Sequence, residues 1–368
     1  MFTIERSRET MTSKERVRRA LRLEKVDRVP IDYSANVTIN ARLKKGLGLA
    51  ADAPQDALLE ILGVDYRGIG VPYTGRPLFP ERPGMRVDPE YGFYYRWIEN
   101  EYGGYSDFCY FPLKDAEPED IFAFPTPDPD DYDYSVVAEQ VRRYRDKAIY
   151  VGNAGTSDLI NSLGRVMGME DALVNLHIGD EATLDLAERK VAFELGKLER
   201  TLDAIKKAGG EPDFLWIGED LGTQIAPMIG MELFRHTFRP VMKRFVDLAD
   251  SYGIPVMIHT CGSSSWAYED FIEMGVRAVD TLQPEVVNMS PAYLREHFGG
   301  RLAFHGCIST AMLADLPAEG VTDVCRKTLE TLMPVGGYQF APTHALQDNT
   351  PVENIVAMYS AAHKYGIY

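Results

Sequence analysis

The 368-residue chain has only four cysteines, and no segment has the length and apolar character of a membrane span. Cys109, Cys261, Cys307 and Cys325 are too sparse for a disulfide framework, so we expect free thiols or metal ligands. The charged beginning of the chain lacks the apolar stretch of a secretion signal. These absences together lead us to expect a cytoplasmic protein.

Positive charge is also in short supply. The chain has 39 Lys and Arg residues against 55 Asp and Glu residues, which gives a formal net charge of −16. A field of this sign repels nucleic-acid phosphates and anionic lipids. We therefore expect neither nucleic acid nor a membrane surface as a partner.

Two common catalytic signatures are missing as well. No Gly-x-Ser-x-Gly segment occurs, so an esterase of the α/β-hydrolase kind would lack its nucleophile. The glycines in residues 152–164 do not have the spacing of a phosphate-binding loop. The chemistry must therefore be looked for in other residues.

Hydrophobic residues are abundant, at 45%, and short apolar runs alternate with amphipathic stretches. This alternation is typical of repeated βα units around a parallel sheet. The candidate strands are residues 29–33, 64–69, 149–153, 214–218, 255–259, 278–282, 302–305 and 338–341. Eight such strands predict one (β/α)8 TIM barrel that extends over residues 1–368.

Amphipathic segments between these strands have the length of crossover helices. The first is residues 13–23, where Thr12 and Glu15 have the spacing of a capping box. The later ones are residues 231–252, 265–274, 291–298, 321–333 and 352–365.

Residues 71–147 interrupt this pattern between the second and third strands. They are irregular and rich in Pro and Tyr, and residues 91–105 have the pattern of a hairpin. We interpret the segment as an aromatic-rich insertion near the barrel mouth. It either covers that mouth or forms a β-subdomain that packs on the barrel without a functional role.

Polar side chains collect where the predicted strands end. They are Asp32, Asn153, Glu219, Asp220, His259, Cys261, Gln283, His305, Cys307 and His344. In barrels of this kind the active site forms at the C-terminal ends of the strands. We therefore expect these residues around one mouth.

The most specific local pattern is His259-Thr260-Cys261. In an extended chain the residues i and i+2 point the same way, and imidazole plus thiolate are ligands that zinc prefers. A catalytic zinc needs three protein ligands and one open position. From the residues alone, the third ligand is either His344 or Cys307, and the alternative to a metal site is a buried histidine beside an inert thiol.

Glu219 and Asp220 form the second polar cluster. A carboxylate here could orient substrate, accept a proton or occupy the open zinc position. The alternative is a helix N-cap by Asp220 with a solvated Glu219 beside it. His305 is a candidate substrate contact or hydrogen-bond partner of the zinc ligands.

Five segments together resemble one known family. They are residues 11–33, 218–240, 257–285, 304–310 and 336–362. In this order they are similar to the uroporphyrinogen decarboxylase superfamily, and specifically to its cobalamin (corrinoid)-dependent zinc methyltransferase branch. The resemblance implies a (β/α)8 barrel, in agreement with the strand count.

The chain departs from true uroporphyrinogen decarboxylases at the first strand. Those enzymes carry a Met-Arg-Gln-Ala-Gly-Arg-Tyr segment whose arginines meet a substrate with many carboxylates. Here residues 31–43 read IDYSANVTINARL, without that basic cluster. We therefore do not expect uroporphyrinogen to be the substrate.

The coenzyme M methyltransferases of the family carry His-x-Cys and a third ligand, Cys, before a Thr-Pro-x-Glu-Asn segment. Here Ala341-Pro342-Thr343-His344 precedes Thr-Pro-Val-Glu-Asn at residues 350–354. The resemblance thus implies His344 as the third ligand in preference to Cys307. Two histidines and one thiolate leave zinc a net positive charge, which favours stabilisation of an oxygen leaving group.

The resemblance implies a zinc enzyme that moves a methyl group between a small methylated compound and a corrinoid protein, and we expect O-demethylation of a methyl ether. The aromatic insertion would suit a phenyl ether. No Asp-x-His-x-x-Gly loop is present, so a partner protein must supply the cobalamin. The alternatives are a decarboxylase-like lyase, a methylcorrinoid:thiol (coenzyme M-type) methyltransferase, and a barrel that only binds a tetrapyrrole or corrinoid. A homodimer is the assembly we consider.

Overall fold

The apolar runs form a curled parallel sheet in the computed structural model, which describes residues 1–368. Seven strands lie in the order β1-β5-β6-β7-β8-β9-β10, so each is hydrogen-bonded to the strand of this sheet that follows it in sequence. A separate antiparallel sheet contains β2, β3 and β4. The strands are β1 Tyr66–Gly68, β2 Arg86–Val87, β3 Tyr94–Ile98, β4 Tyr105–Tyr110, β5 Ala148–Gly152, β6 Phe214–Gly218, β7 Val256–Thr260, β8 Ala278–Thr281, β9 Ala303–Ile308 and β10 Tyr338–Pro342.

Fifteen α-helices connect or cover these strands, and none is long and apolar enough to cross a bilayer. They are α1 Ser13–Leu21, α2 Val37–Gly46, α3 Gln55–Leu62, α4 Pro118–Phe122, α5 Val137–Arg143, α6 Leu159–Met167, α7 Met169–Ile178, α8 Glu181–Lys207, α9 Met231–Leu233, α10 Arg239–Ser251, α11 Tyr268–Met274, α12 Pro291–Phe298, α13 Thr310–Asp315, α14 Ala318–Leu332 and α15 Val352–Tyr365. A π-helical turn, Phe234–Phe238, joins α9 to α10.

Local signals in the sequence explain several helix boundaries. Thr12 Oγ1 accepts a hydrogen bond from the backbone N–H of Glu15 at 3.1 Å, as expected for a capping residue. Helices α12 and α15 have the predicted bounds, 291–298 and 352–365. Seven of the predicted strands are present, with ends that differ by a few residues.

The predicted first strand, residues 29–33, forms isolated bridges in place of a regular strand. Ile31 bridges to Phe340 of β10, while Ile31 O accepts from Asp65 N at 2.9 Å, just before β1. Pro30 has no N–H to donate, which prevents a continuous ladder here. The structure therefore shows a curled seven-stranded sheet with a bridging segment between its edges, and the full eight-stranded barrel stays a prediction.

The aromatic-rich segment contains the small antiparallel sheet. The predicted hairpin at residues 91–105 contains β3, whereas its second strand, β4, begins only at the last residue of that range. Tyr91 Oη donates to Glu194 of α8 at 2.9 Å, and the guanidinium of Arg165 in α6 lies over the rings of Phe93 and Phe108. The segment thus packs on α6 and α8. That it is an insertion near the barrel mouth remains our interpretation.

Candidate metal centre

A cavity of about 420 Å³ opens where the parallel strands end. Its walls come from the loops that follow the bridging segment, β5, β6, β7 and β10, and from inward side chains of β6 to β9. The predicted site residues among its lining are Asp32, Asn153, Asp220, His259, Cys261, His305 and His344. The strand ends therefore bring together most of the polar side chains that we expected there.

Three of these side chains point their ligand atoms at one another. His259 Nε2 lies 3.4 Å from Cys261 Sγ and 3.7 Å from Asp220 Oδ1. All three ligand atoms lie within 4.8 Å of one another. The backbone N–H of Cys261 also donates to Asp220 Oδ1 at 2.9 Å, which fixes the carboxylate beside the thiol.

Two glycines allow this approach of neighbouring loops. Gly222 follows β6 and Gly262 follows β7, and a Cβ on Gly262 would lie 2.2 Å from Gly222 O. Gly262 also has a φ of +71°, which side chains disfavour. Any larger residue at either position would separate Asp220 from Cys261.

Asp280 orients the imidazole of His259. Its Oδ2 lies 2.7 Å from Nδ1, so Nδ1–H donates to the carboxylate and leaves Nε2 free to face Cys261. Most histidines that bind metals have such a partner. Burial favours the neutral ring, but the hydrogen bonds to Asp280 and Cys261 outweigh this and raise the pKa of His259 well above its ordinary value.

His305 holds the same carboxylate from the other side. Its Nδ1 lies 2.6 Å from Asp280 Oδ1, and its Nε2 lies 3.2 Å from Asp32 Oδ2 without hydrogen-bond geometry. Burial lowers the pKa of His305, but Asp280 and Asp32 outweigh burial and raise it to about 9. The ring is therefore charged at neutral pH. His305 therefore contacts Asp280, the hydrogen-bond partner of His259, and does not contact a candidate metal ligand.

Asp280 was not among the site residues predicted from the sequence. The strand register pairs His259 with Asp280 and Asp280 with His305, so the three side chains occupy neighbouring positions in β7, β8 and β9. The available signal was an acidic residue inside an otherwise apolar predicted strand, residues 278–282. A buried carboxylate needs partners, and the histidines provide them.

The two candidates for a third ligand have different surroundings. His344 lines the cavity and its Nδ1 lies 3.2 Å from Gln347 Nε2, outside the group of three converging atoms. Cys307 is fully buried in the hydrophobic core, does not line the cavity, and its burial raises the pKa of the thiol. The third residue whose ligand atom converges with those of His259 and Cys261 is Asp220, and neither candidate belongs to that group. The ligand role of His344 remains a prediction.

Glu219 lies apart from the cavity lining. It is buried, and its carboxylate accepts hydrogen bonds from the backbone N–H groups of Leu159 and Ile160 at 2.8 and 3.0 Å, at the start of α6. Burial and the nearby Asp158 raise its pKa well above the ordinary value. Its contacts are those of a group that holds a helix start, and the alternative of a solvated Glu219 is wrong. A catalytic role of Glu219 stays a prediction. An N-cap by Asp220 is also wrong, because the next helix begins only at Met231.

Comparisons with known proteins agree with this fold. Residues 203–365, somewhat under half of the chain, match the family described as Uroporphyrinogen decarboxylase (URO-D). A solved structure, "methyltransferase from Methanosarcina mazei", has 18% sequence identity and a TM-score of 0.63, with 96% of this chain and 98% of that chain covered. No curated protein matches the chain. These findings support a fold of the uroporphyrinogen decarboxylase superfamily.

Proposed function

We propose that the protein is a zinc-dependent methyltransferase that moves a methyl group between a small methylated compound and a corrinoid protein. A methyl ether is the methyl donor that we favour. The observation that carries the proposal is the convergence of His259 Nε2, Cys261 Sγ and Asp220 Oδ1 on the wall of a cavity at the strand ends. The fold shared with a methyltransferase supports it.

The donor atoms fit zinc. Imidazole nitrogen, thiolate sulfur and carboxylate oxygen are its usual ligands, and Asp280 already orients the imidazole. We propose His259 and Cys261 as two ligands and His344 as the third, with Asp220 at the position that substrate takes over. Bound zinc supplies a Lewis acid that stabilises negative charge on a departing oxygen.

The proposed step breaks one bond and forms one bond. The bond between the methyl carbon and the ether oxygen would break with its electron pair staying on the oxygen. A reduced Co(I) corrinoid, presented by a partner protein as co-substrate, would supply the electron pair of the new bond to the methyl carbon. The released oxygen then needs a proton. His305 is charged at neutral pH and lines the cavity beside Asp32, so we propose this pair as the proton source. Solvent restores the proton afterwards.

An assay of methyl transfer tests the function. Zinc-loaded protein is mixed with a reduced corrinoid protein and with methyl ethers, amines and thioethers, and the visible spectrum follows the conversion of the corrinoid. We expect conversion only with this protein present and none with His259→Ala. His236→Ala is the matched control, because this histidine is exposed on the π-helical turn.

Other outcomes would favour other functions. Methylation of a thiol by a methylated corrinoid would indicate the coenzyme M-type reaction. Decarboxylation of a small acid without any methyl transfer, at full zinc occupancy, would replace our proposal by a lyase. We expect no decarboxylation of uroporphyrinogen. A cytoplasmic location and a homodimer stay predictions.

A further inference from the structure

An asparagine on the wall of the cavity at the strand ends contacts one member of the converging group. Asn161 lies in the first turn of α6, and its Nδ2 donates to Asp220 Oδ2 at 2.9 Å. The same Nδ2 donates to Asp158 Oδ2 at 2.7 Å. All three residues line the cavity. The function proposed above gives Asn161 no role.

The orientation of the Asn161 amide follows from its neighbours. Carboxylate oxygens only accept hydrogen bonds, so Nδ2 and not Oδ1 must face both Asp158 and Asp220. Each of the two N–H groups then has one acceptor. The backbone N–H of Asn161 also donates to Asp158 Oδ1 at 2.9 Å. Asp158 thus holds Asn161 in the position from which it contacts Asp220.

A contact between β6 and α6 sets the distance from Asn161 to Asp220. Glu219, just after β6, accepts from the backbone N–H groups of Leu159 and Ile160 at 2.8 and 3.0 Å. Asn161 is the next residue of the helix, and Asp220 is the next residue after Glu219. Two consecutive acidic residues therefore contact three consecutive residues of α6. Because Glu219 is buried, this contact is part of the packed structure.

The two oxygens of Asp220 have different surroundings. Oδ2 accepts from Asn161, whereas Oδ1 accepts from Cys261 N at 2.9 Å and lies 3.7 Å from His259 Nε2. Ligand atoms at about 2.0–2.3 Å from zinc lie about 3.3–3.6 Å apart in a tetrahedron. His259 Nε2 and Cys261 Sγ, at 3.4 Å, fit this spacing. Asp220 Oδ1 lies beside the ligand position but slightly too far from His259 for a tetrahedral ligand.

We infer that Asn161 is a positioning residue, which holds the Asp220 carboxylate beside the metal so that a substrate oxygen can take the fourth position from it. This inference rests on the metal centre of the proposed function and adds a residue to it. A carboxylate that leaves zinc regains its full charge and needs hydrogen bonds. Asn161 Nδ2 and Cys261 N already supply them. Hydrogen bonds to a fully charged carboxylate are the stronger ones, so Asn161 favours the exchange.

Cobalt(II) in place of zinc allows a spectroscopic test, with imidazole as the probe for the fourth position. The visible absorption of the cobalt-loaded protein is titrated with imidazole. Asn161→Leu keeps the size of the side chain but removes both N–H donors, so imidazole should bind about tenfold more weakly than to the wild type. The absorption before imidazole is added should also weaken, because an untethered carboxylate can bind the metal through both oxygens and raise its coordination number.

A double-mutant cycle shows whether Asn161 acts through Asp220. Asp220→Ala removes the competitor for the fourth position, so imidazole should bind more tightly than to the wild type. Addition of Asn161→Leu to this variant should change imidazole binding by less than about twofold. An equal loss in both backgrounds would overturn the inference, because Asn161 would then act without Asp220.

Matched variants separate this role from the stability of the helix. Asn175 of α7 also donates a side-chain hydrogen bond, to Thr183 Oγ1 at 3.0 Å, but it does not line the cavity. Asn175→Leu should leave the cobalt absorption and imidazole binding unchanged. Thermal unfolding verifies that each variant folds. If Asn161→Leu does not fold, Asn161→Ser replaces it, and imidazole binding should again weaken because one hydroxyl cannot donate to both carboxylates.

The outcomes separate this inference from the proposed function. Coupling between Asn161 and Asp220, without methyl transfer from any donor, keeps the inference and removes the function. Methyl transfer without this coupling keeps the function and overturns the inference. If Asp220→Ala no longer binds cobalt, Asp220 is a permanent ligand and the inference is wrong. Wild-type protein that binds neither cobalt nor zinc would contradict both.

Discussion

The two ends of the parallel sheet treat charged side chains in opposite ways. At the amino ends of the strands, Arg16 and Arg28 are fully buried, and both contact Asp65. Arg16 Nη1 lies 2.6 Å from Asp65 Oδ1, and Arg28 Nη1 lies 2.7 Å from Asp65 Oδ2. Asp27 and Glu9 bind the remaining guanidinium nitrogens. At this end each buried charge has its partners inside the chain.

At the carboxyl ends of the strands, several charged or ligand-bearing side chains lack full partners within the chain. Arg165 and Lys190 lack a carboxylate partner, and His259, Cys261 and Asp220 converge on a common point. Desolvated polar groups without full partners reduce stability. The difference is that the amino end neutralises its buried charges within the chain, whereas the other end keeps charges available for ligands.

Removal of a metal ligand should have the largest effect and acts only on the carboxyl end. We expect wild-type protein to bind about one zinc per chain, and His259→Ala or Cys261→Ser to abolish this binding. His344→Ala should release zinc more readily than Cys307→Ser or Asp220→Asn. Competition with a chelator measures the order.

A reversed order would change the assignment of the third ligand. If Asp220→Asn releases zinc and His344→Ala does not, the converging group seen here is the ligand set itself. Wild-type protein that holds no zinc when prepared without chelators would contradict the site altogether.

Loss of the carboxylate of Asp65 should lower the free energy of unfolding, mainly through the amino ends of the strands. Asp65→Asn leaves two buried guanidinium groups without their shared carboxylate, so the free energy of unfolding should fall by about 3–5 kcal/mol. Urea unfolding measures this, and zinc affinity should remain unchanged. Glu24→Gln, which breaks only the exposed pair with Arg22, is the control and should leave the free energy of unfolding almost unchanged. Equal effects of the two variants would contradict the comparison.

A fall in pH should also lower the free energy of unfolding through the amino end, by protonation of His363. Its Nε2–H donates to Leu62 O at 3.0 Å, and burial lowers the pKa of the ring to about 4 from the ordinary 6.5. At a pH between these two pKa values, the imidazole of His363 binds a proton in the unfolded chain but not in the folded chain. The stabilisation is therefore complete above the ordinary pKa and is lost as the pH falls toward the folded value, by about 3 kcal/mol in all.

His363→Gln should flatten this part of the pH dependence relative to the wild type, as measured by urea unfolding at several pH values. The exposed His297→Gln should leave it unchanged. A parallel loss of stability in the wild type and in His363→Gln would show that other groups cause it.

The smallest predicted effect separates orientation from ligation at the carboxyl end. Asp280→Asn keeps the shape of the side chain but weakens its hold on His259, so zinc affinity should fall by about ten- to a hundredfold without being abolished. Chelator competition measures the affinity, and the absorption of a cobalt-substituted site reports ligand geometry. No change in either would mean that Asp280 has a purely structural role.

Much of the architecture could be predicted from local pattern. Apolar runs gave the strand positions, and turn and capping residues such as Thr12 placed helix ends, because these signals act within a few residues. His259 and Cys261 are close for the same local reason. The bridging segment differs from its predicted strand, since Pro30 removes a donor while Asp65 supplies a side-chain acceptor to Ile31 N.

The remaining features depend on the register between strands. His259, Asp280 and His305 are about 20 residues apart, yet they become neighbours because β7, β8 and β9 pair in one register. The approach of Asp220 to Cys261, and that of Arg165 and Lys190 to Phe93, likewise depend on how loops and helices pack. The sequence by itself determined seven strands of the parallel sheet and which pair of residues could begin a metal site. Only the tertiary structure decided which charges would be neutralised and which would face a cavity, because partners distant in sequence meet only when the core packs.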